Sequence, residues 1–496
     1  MKFSLNPKVI VSIVYVLAMF MVAMDGTVLN VALRTISEEL GIPPAASGTL
    51  NVGYLVSLAV FLPVAGWLGD RWGTKRVFLS ALALFTISSA LCATADQLST
   101  LTFFRILQGA GGGLLTPVGM AMLFRTFPPQ ERAKVSRMLV LPIALAPALG
   151  PIVSGLIVDQ LSWRWIFYVN LPVGIPAVIF GMLYLKEHRE QGAGRLDVPG
   201  WLLSAPGLAL TMYALSQGPL RGWTSPLIIG AGLTGIILLT LLVFAELRAK
   251  QPLLDLRLLR DRLFRYSGLV SVCGAAGLLG MLYVFPLMYQ NVLNASALET
   301  GLTTFPEALG LMIASQLVPW TYPRLGPRKL ISMGLICTAI IFITLSQITV
   351  DTNPWFIRAL LFGVGIFLGQ TVGAVQIASF AQIPPPSMGR ASTWFTVQNR
   401  LGSAIGMALL SAVLAGVGTT TVTAAGAMEP NMLAYRLALL GAAAFLLIGL
   451  CFALKISDAD AAATIRKNSG QGLFRRQKKS PSLTQESSVQ SKGKVL

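Results

Sequence analysis

Two carboxylates stand inside apolar runs of the sequence, where an ionised side chain is costly. Asp25 lies well inside the first run, and Glu307 follows a proline in the tenth. A charge at membrane depth costs about 2.5–3.5 kcal/mol on insertion scales, so such residues often belong to ion pathways. A carboxylate can take up and release protons, and we therefore predict that Asp25 is a proton-coupling residue. The alternative is that Asp25 fixes helix packing through a hydrogen bond to a neighbour.

Arg105 is the one basic residue that we place within an apolar run. It cannot lose its proton, so it needs a carboxylate, a carbonyl or a water molecule as partner. Asp25 and Arg105 stand at different depths in their runs, so the prediction requires no direct pair between them. Glu307 is predicted to be a further proton-coupling residue. It is also predicted to line a cavity, because Pro306 frees a backbone carbonyl there and an acid would attract a cation. Alternatively, Glu307 lies near the outer end of its helix in contact with water.

A short charged segment between the second and third apolar runs recurs later in the chain. An echo at 319–329 keeps a turn glycine and three basic residues at the same offsets, but Pro323 replaces the acid. A charged hairpin repeated in two halves is typical of transporters built from two related bundles. The residues of the first copy that we expect to act together are Gly66, Asp70, Arg71, Gly73, Lys75 and Arg76.

The composition predicts helices that cross a membrane. Of the 496 residues, 54% are hydrophobic and 12% are charged, whereas soluble domains carry about 25% charged residues. A bilayer core of about 30 Å needs roughly 20 apolar residues per helix. The runs that meet this length are 9–33, 48–69, 77–95, 98–118, 137–159, 166–186, 199–218, 226–245, 265–290, 301–320, 329–348, 355–378, 394–417 and 434–455.

The repeated hairpin divides these runs into two sets. We predict an all-α membrane protein with 14 transmembrane helices, in which a six-helix bundle at 1–190 is followed by a linker at 191–250 with two additional transmembrane helices. A second six-helix bundle occupies 251–455 and begins with an alternating apolar and charged stretch, either an amphipathic surface element or a simple connector. The basic tail 456–496 has the composition of a disordered cytoplasmic segment.

The net charge of +18 is explained by topology better than by nucleic-acid binding. With the N-terminus in the cytoplasm, 32 of the 38 Lys and Arg residues fall on that side. Such asymmetry is the usual orientation signal of membrane proteins. We predict a multi-pass protein of the cell (plasma or inner) membrane with both termini in the cytoplasm. Membrane lipids are expected partners, nucleic acid is not, and the chain is expected to be a monomer.

Nothing in the sequence predicts a metal, a cofactor or an enzyme activity. The four cysteines fall inside apolar runs without metal-binding spacing, and the single histidine, His188, lies in a loop. The glycine run Gly109–Gly113 lies inside an apolar run and lacks the ending of a phosphate loop. The work is therefore expected to come from the proton gradient. One charge crossing 100 mV releases about 2.3 kcal/mol, enough for a roughly fiftyfold substrate gradient.

Several motifs resemble those of the major facilitator superfamily, in the expected order and over most of the chain. Residues 66–79 resemble the loop between its second and third helices, and 101–109 resemble its fourth-helix arginine motif. The fifth-helix motif that marks its antiporters is matched by Gly150, Pro151, Ser154 and Gly155. Signatures of its fourteen-span drug:proton antiporter branch are matched by 24–33, 163–174 and 252–264.

The resemblance implies a major-facilitator-type fold of two six-helix bundles, here with two extra central helices. It places an Asp at the position of Asp25 and links Arg105 to proton coupling. For the fifth-helix motif it implies a kinked contact between the two halves. The alternative is ordinary close packing of small residues between neighbouring helices.

The first charged hairpin falls on the predicted cytoplasmic side, where it could latch an inner gate. We expect Asp70 to meet the start of the thirteenth run, because a helix N-terminus favours a carboxylate. In the later copy of the hairpin, Pro323 occupies the position of the acid. We therefore expect the latch to form only through the first copy.

These features together predict a secondary transporter that exports lipophilic or cationic drugs or toxic compounds in exchange for protons. A dedicated exporter of a metabolite, siderophore or lipid would share every motif, and a solute importer or a non-transporting receptor is a weaker alternative. Polar and aromatic residues that could line the cavity are Asn30, Tyr289, Gln316, Gln370, Gln376, Trp394 and Gln398.

Overall fold

The computed structural model is almost entirely helical. It describes residues 6–42, 44–132, 135, 140, 146, 149–150, 153–154, 156–157, 160–190, 194–249, 252–293, 295–418, 420–422 and 428–465. The described helices of the first half are α1 (Pro7–Glu39), α2 (Pro44–Phe61), α3 (Ala65–Trp72), α4 (Thr74–Ala93), α5 (Leu98–Thr126), α6 (Trp165–Tyr168) and α7 (Leu171–Tyr184).

Two central helices and the second half complete the described part of the chain. The central helices are α8 (Val198–Arg221) and α9 (Pro226–Arg248). Those that follow are α10 (Arg262–Asn291), α11 (Ala297–Leu345), α12 (Pro354–Ser379), α13 (Met388–Val417), α14 (Met432–Ala453) and α15 (Ala462–Ile465). Short 3-10 turns lie at Pro129–Glu131, Leu256–Arg260 and Pro385–Ser387, and an antiparallel hairpin joins β1 (Thr420–Val422) to β2 (Met428–Pro430).

Side-chain caps fix where several of these helices begin. Asn6 accepts a hydrogen bond from the Lys8 amide, and Pro7 occupies the first turn of α1. Such caps satisfy amide groups that have no partner inside the helix, and proline is pre-organised for this position. Asp and Asn side chains cap α8, α10, α12 and α14 in the same way. The sequence thus specifies these boundaries locally.

The all-α membrane fold predicted from the sequence is confirmed. Among the described residues, eleven helices are long and apolar enough to span a membrane, and the bent pair 49–61 and 65–72, at 53°, provides a twelfth. The 49 residues of α11 extend about 70 Å at 1.5 Å per residue, more than twice a bilayer core. This helix therefore contains two predicted runs, 301–320 and 329–348. The predicted run 137–159 lies largely outside the described residues, so fourteen spans is consistent with the structure.

The break in α11 falls within the echo of the charged hairpin. Gly326 has φ 75° and ψ 162°, a region that favours glycine because it has no Cβ. The amide of Arg328 donates to Asp458 Oδ1 at 2.9 Å, and a Cβ on Gly326 would lie 2.7 Å from the same oxygen. Helix α11 is therefore kinked at Gly326, and Asp458, which follows α14, stabilises the kink.

The two central helices pack on each other at the side of the bundle. Helix α8 contacts α2 and α13 as well, so it touches elements from both predicted bundles. Helix α9 leaves large apolar side chains exposed, among them Leu233, Ile236 and Ile237, as expected of a surface that faces lipid. The predicted boundaries of the two bundles and of the linker stay predictions.

Gly326→Ala is expected to lower the melting temperature of the detergent-solubilised protein. The new Cβ would meet Asp458 in a backbone conformation that costs about 1–3 kcal/mol for a residue other than glycine. Gly301→Ala in the same helix is the matched control, because no atom lies within 4 Å of its Cβ position and alanine favours a helix interior. Equal melting temperatures for the two variants would contradict the kink.

Candidate coupling site and cytoplasmic gate

The predicted residues Asp25 and Arg105 form a direct ion pair in the first half. Arg105 Nη1 donates to Asp25 Oδ2 at 2.6 Å and to Gln108 Oε1 at 2.8 Å, and Gln108 Nε2 donates to Asp25 Oδ1 at 2.8 Å. All three residues are buried, with Asp25 at 6% exposure and the other two at 0%. The inference from depth that these charges need not pair was therefore misleading, because the long arginine side chain spans the offset between α1 and α5.

Helix α5 can approach its neighbours because one stretch of it is glycine. A Cβ on Gly109 would collide with the Tyr54 carbonyl of α2, one on Gly111 would lie 2.8 Å from the Ala81 carbonyl of α4, and one on Gly113 would lie 2.6 Å from the Leu58 carbonyl. Small residues allow such backbone contact between membrane helices. The run that superficially resembles a phosphate loop is thus a packing face, and it brings Arg105 and Gln108 to α1.

Tyr54 and Cys92 complete the surroundings of the arginine. The Tyr54 ring lies 4.4 Å from the guanidinium carbon, and Cys92 Sγ donates to Gln108 Oε1 at 3.9 Å. Arg105 Nε and Nη2 are buried without a hydrogen-bond partner among the described residues. Breaking a buried ion pair by removing one partner costs about 3–5 kcal/mol. A proton on Asp25 would neutralise one charge of this pair and leave the Arg105 guanidinium without a charged acceptor.

The second cluster joins the first half to the start of α13. Asp70 Oδ1 accepts from Arg125 Nη2 at 2.7 Å, and Arg125 Nε donates to the Pro385 carbonyl at 3.3 Å. A Cβ on Gly389 would lie 2.6 Å from Asp70 Oδ1, and one on Gly66 would lie 2.6 Å from the Gly389 carbonyl. Asp70 thus meets the start of α13, which begins at Met388, ahead of the predicted run 394–417. Arg125 is a partner of Asp70 that the sequence analysis missed.

The basic residues of the hairpin bind a segment that follows α7 rather than the second half. Glu187 accepts hydrogen bonds from the amides of Lys75 at 3.0 Å and Arg76 at 3.2 Å, at the N-terminus of α4. The Glu190 amide donates to the Asp70 carbonyl at 3.1 Å. Arg71 is exposed, and Gly73 has φ 102°, as a sharp turn requires. The hairpin is therefore braced from its own half.

Further contacts close the same end of the molecule. Phe124 stacks on Phe380 with ring centroids 4.4 Å apart, and Arg132 Nη1 donates to the Phe380 carbonyl. Burial lowers the pKa of Arg132 to about 10, so the side chain still carries its charge at neutral pH. Ser392 Oγ donates to the Pro117 carbonyl at 2.8 Å. These contacts hold the two halves together at the end that carries the charged hairpin.

The fifth-helix motif is described only in part. Gly150 is buried, and Ser154 Oγ donates to the Val28 carbonyl at 2.9 Å. Pro151 and Gly155 lie outside the described residues. The contact that is seen joins this motif to α1 one turn beyond Asp25, within the first half.

Glu307 lies in the second half, apart from the Asp25 cluster. Its side chain is buried, with 4% exposure, so it is not the wet helix end considered above. Its Oε1 has no hydrogen-bond partner among the described residues. A Cβ on Gly365 would collide with the Glu307 carbonyl, and one on Gly310 would collide with the Phe362 carbonyl, so α11 and α12 pack closely around this acid.

The residues predicted to line a cavity have different surroundings. Tyr289 is buried and stacks on Phe285 with centroids 5.5 Å apart. Gln316 is exposed and Gln370 is half-buried, while the side chain of Asn30 lies outside the description. Polar atoms that are buried without a hydrogen-bond partner among the described residues belong to Gln376, Trp394 and Gln398.

Arg400 is a charged residue well inside α13 to which the sequence analysis gave no role. It stands twelve residues after Met388, the first residue of α13, about 18 Å along the helix at 1.5 Å per residue. Its side chain is exposed and close enough to Tyr54 of α2 to interact electrostatically with it. The signal that could have found it is its position inside the predicted run 394–417.

The molecule is a polytopic helical bundle with a buried acid–arginine pair and charged contacts between its two halves. Residues 15–407 match the family model of the Major Facilitator Superfamily, and the chain belongs to this family, whose members are membrane transporters rather than enzymes. It is 33% identical over 406 residues to "Multidrug resistance protein B homolog" of Mycobacterium tuberculosis, covering 81% of this chain and 75% of that protein.

A second relative and a solved structure agree with this assignment. "Multidrug transporter protein MdtP" of Bacillus subtilis is 30% identical over 400 residues, which cover 80% of this chain and 74% of that protein. The crystal structure of the human organic anion transporter MFSD10 (TETRAN) has a TM-score of 0.62 and 15% identity, covering 91% of this chain and all of that one. At that identity the likeness shows the fold alone.

Asp70→Asn is expected to slow transport by at least several-fold. An amide loses the charge-assisted hydrogen bond to Arg125, which is worth about 1.5–3 kcal/mol. Transport would be measured in proteoliposomes together with proton release on substrate binding, which should persist because Asp25 is unchanged. Asp96→Asn is the matched control, since that side chain is 84% exposed and pairs with Arg164. Loss of proton release in Asp70→Asn would contradict the separation of gate and coupling site.

Proposed function

We propose that this protein exports lipophilic compounds in exchange for protons by alternating access. The observation that carries the proposal is the buried Asp25–Arg105–Gln108 cluster, in which one proton changes the charge of an ion pair shared by α1 and α5. The multidrug names of the relatives support the class of substrate. The proton gradient is proposed as the only energy source.

The proposed cycle begins with the hairpin end closed. A proton that enters from the outer side neutralises Asp25 and releases Arg105 from its partner, which weakens the hold on the substrate and favours outward release. The two bundles then rock about the central site, the contact of Asp70 with the start of α13 opens, and proton loss to the cytoplasm resets the pair. We propose a monomer in the cell membrane, surrounded by lipid, with both termini in the cytoplasm.

A dedicated exporter of a metabolite, siderophore or lipid would use the same pair and the same gate. It would differ in the cavity lining, and a growth-inhibition panel on an overexpressing strain separates the two. Resistance to several unrelated lipophilic compounds supports the multidrug proposal, whereas resistance to none of them supports the dedicated exporter.

Asp25→Asn is expected to abolish proton-driven export in everted membrane vesicles, because the amide cannot bind and release a proton. The single variant leaves Arg105 buried without a counter-charge, at a cost of about 3–5 kcal/mol, so its stability must be measured as well. The double variant Asp25→Asn/Arg105→Gln removes both charges and is expected to recover stability but not export. Export at the wild-type rate by either variant would overturn the role of Asp25.

We also propose that Glu307 favours lipophilic cations, since its buried carboxylate has an unpartnered oxygen in the second half. Arg400 places an opposing charge on α13, so the preference depends on where the substrate binds. Glu307→Gln is expected to lower export of a lipophilic cation on the order of tenfold, a loss of about 1.4 kcal/mol. Export of a neutral substrate should change little. Equal losses for both substrates would show that Glu307 does not select by charge, and Glu299→Gln is the control.

A further inference from the structure

A buried carboxylate lies where the two central helices meet the second half. Glu246, two residues before the end of α9, is 1% exposed. Its Oε1 accepts from the Leu254 amide at 3.0 Å, and Leu254 is itself buried in the main apolar core. Its Oε2 is buried without a hydrogen-bond partner among the described residues. An ionised carboxylate with a bare oxygen in such a place is costly.

A second carboxylate faces the same small space. Asp197 caps α8, with Oδ1 accepting from the Gly200 amide at 3.0 Å. Its Oδ2 is buried and also has no hydrogen-bond partner among the described residues. A Cβ on Gly200 would lie 2.9 Å from Glu246 Oε1 and closer still to Asp197 Oδ2. Gly200 is thus the small residue that allows both carboxylates to approach one point.

Two adjacent carboxylates in a buried site cannot both be ionised without strong repulsion. One proton held between them removes the repulsion and supplies a donor for a hydrogen bond between the two carboxyl groups. Carboxylate pairs that share one proton in this way are known from aspartic proteases.

We propose that Asp197 and Glu246 form a second proton-binding site, which holds one proton between the two central helices. The site is separate from the Asp25 cluster and goes beyond the exchange cycle proposed above. It gives these two helices a chemical role.

The charged groups around the pair connect it to the gate. From the segment that follows α9, Asp255 adds a negative charge, and its Oδ2 lies 3.6 Å from Arg390 Nη1. Arg257 Nη2 from the same segment donates to the Ala249 carbonyl at 3.0 Å. Arg390 follows Gly389, the residue of α13 against which Asp70 packs.

The protonation state of the pair therefore bears on the position of the segment at 252–260. With the proton bound, Glu246 can hold the Leu254 amide while it hydrogen-bonds to Asp197. Without it, Glu246 still accepts from the Leu254 amide. Two negative charges then repel each other beside a third, Asp255, so Glu246 and the segment bound to it are driven away from Asp197. Since Asp255 pairs with Arg390, cytoplasmic alkalinity is expected to loosen the start of α13 and thus the closed gate.

The test is the pH dependence of thermal unfolding of the full-length protein in detergent. Wild-type protein should lose melting temperature as pH rises from mildly acidic to mildly alkaline, since the shared proton is lost. Glu246→Gln should reduce that loss by at least half, because the amide stays neutral and can donate to Asp197. Asp197→Asn should act in the same way while keeping the helix cap. Glu299→Gln, at an exposed acid of α11, is the matched control and should keep the wild-type profile.

Infrared spectroscopy supplies an independent readout. The wild-type spectrum at neutral pH should contain a protonated-carboxyl band that is absent from Glu246→Gln and present in Asp25→Asn. Unchanged pH profiles in both Glu246→Gln and Asp197→Asn, or no such band, would overturn the site. So would stabilisation of the wild type by sodium or potassium ions that Glu246→Gln abolishes, because a metal cation would then occupy it. None of these outcomes depends on drug export, so failure here is distinct from failure of the proposed function.

Discussion

The buried charge of Arg105 is the constraint on which the first half of the molecule depends. A guanidinium keeps its proton, and inside a membrane protein it must find a counter-charge and acceptors within the fold. Asp25 and Gln108 supply them, and the glycine face of α5 lets that helix approach α2 and α4 closely enough for the cluster to be fully buried. Because the pair joins α1 to α5, a change in its charge alters a contact between two helices rather than a local side chain. In the proposed cycle, proton binding and helix movement are linked through this one interaction.

At the hairpin end, several contacts join the two halves of the molecule. They comprise Asp70 packed against a glycine at a helix start, arginines that bind carbonyls of the opposite half, the Ser392–Pro117 hydrogen bond and the stack of Phe124 on Phe380. Hydrogen bonds of this kind can be exchanged for water when the end opens, whereas a large apolar interface could not. The backbone amides of Lys75 and Arg76 bind Glu187 within their own half and brace the hairpin there. The segment that follows the central helices contacts this end of the molecule, because its Asp255 pairs with Arg390 of α13.

Sequence reasoning identified the types of residue that matter more readily than their partners. Asp25, Arg105 and Asp70 were found because a charge among apolar residues, or in a repeated hairpin, is conspicuous. The pairing of Asp25 with Arg105 was missed, because depth along two separate runs says little about the reach of an arginine side chain across a helix contact. Arg400 was given no role, although it lies inside the predicted run 394–417, because the basic residues were interpreted together as an orientation signal. Glu246 was overlooked because an acid at the end of an apolar run looks like an ordinary boundary.

The sequence by itself determined the helical membrane fold, its family and the caps that begin many helices. The bilayer acts on each segment separately, since every span must be long, apolar and internally hydrogen-bonded whatever its neighbours are. Only the tertiary structure decided which charges meet: Asp25 with Arg105, Asp70 with Arg125, and Asp197 beside Glu246 across Gly200. These encounters depend on the offset and close approach of helices far apart in the chain. No local pattern encodes that geometry, because the sequence of one segment does not specify which distant helix will pack against it.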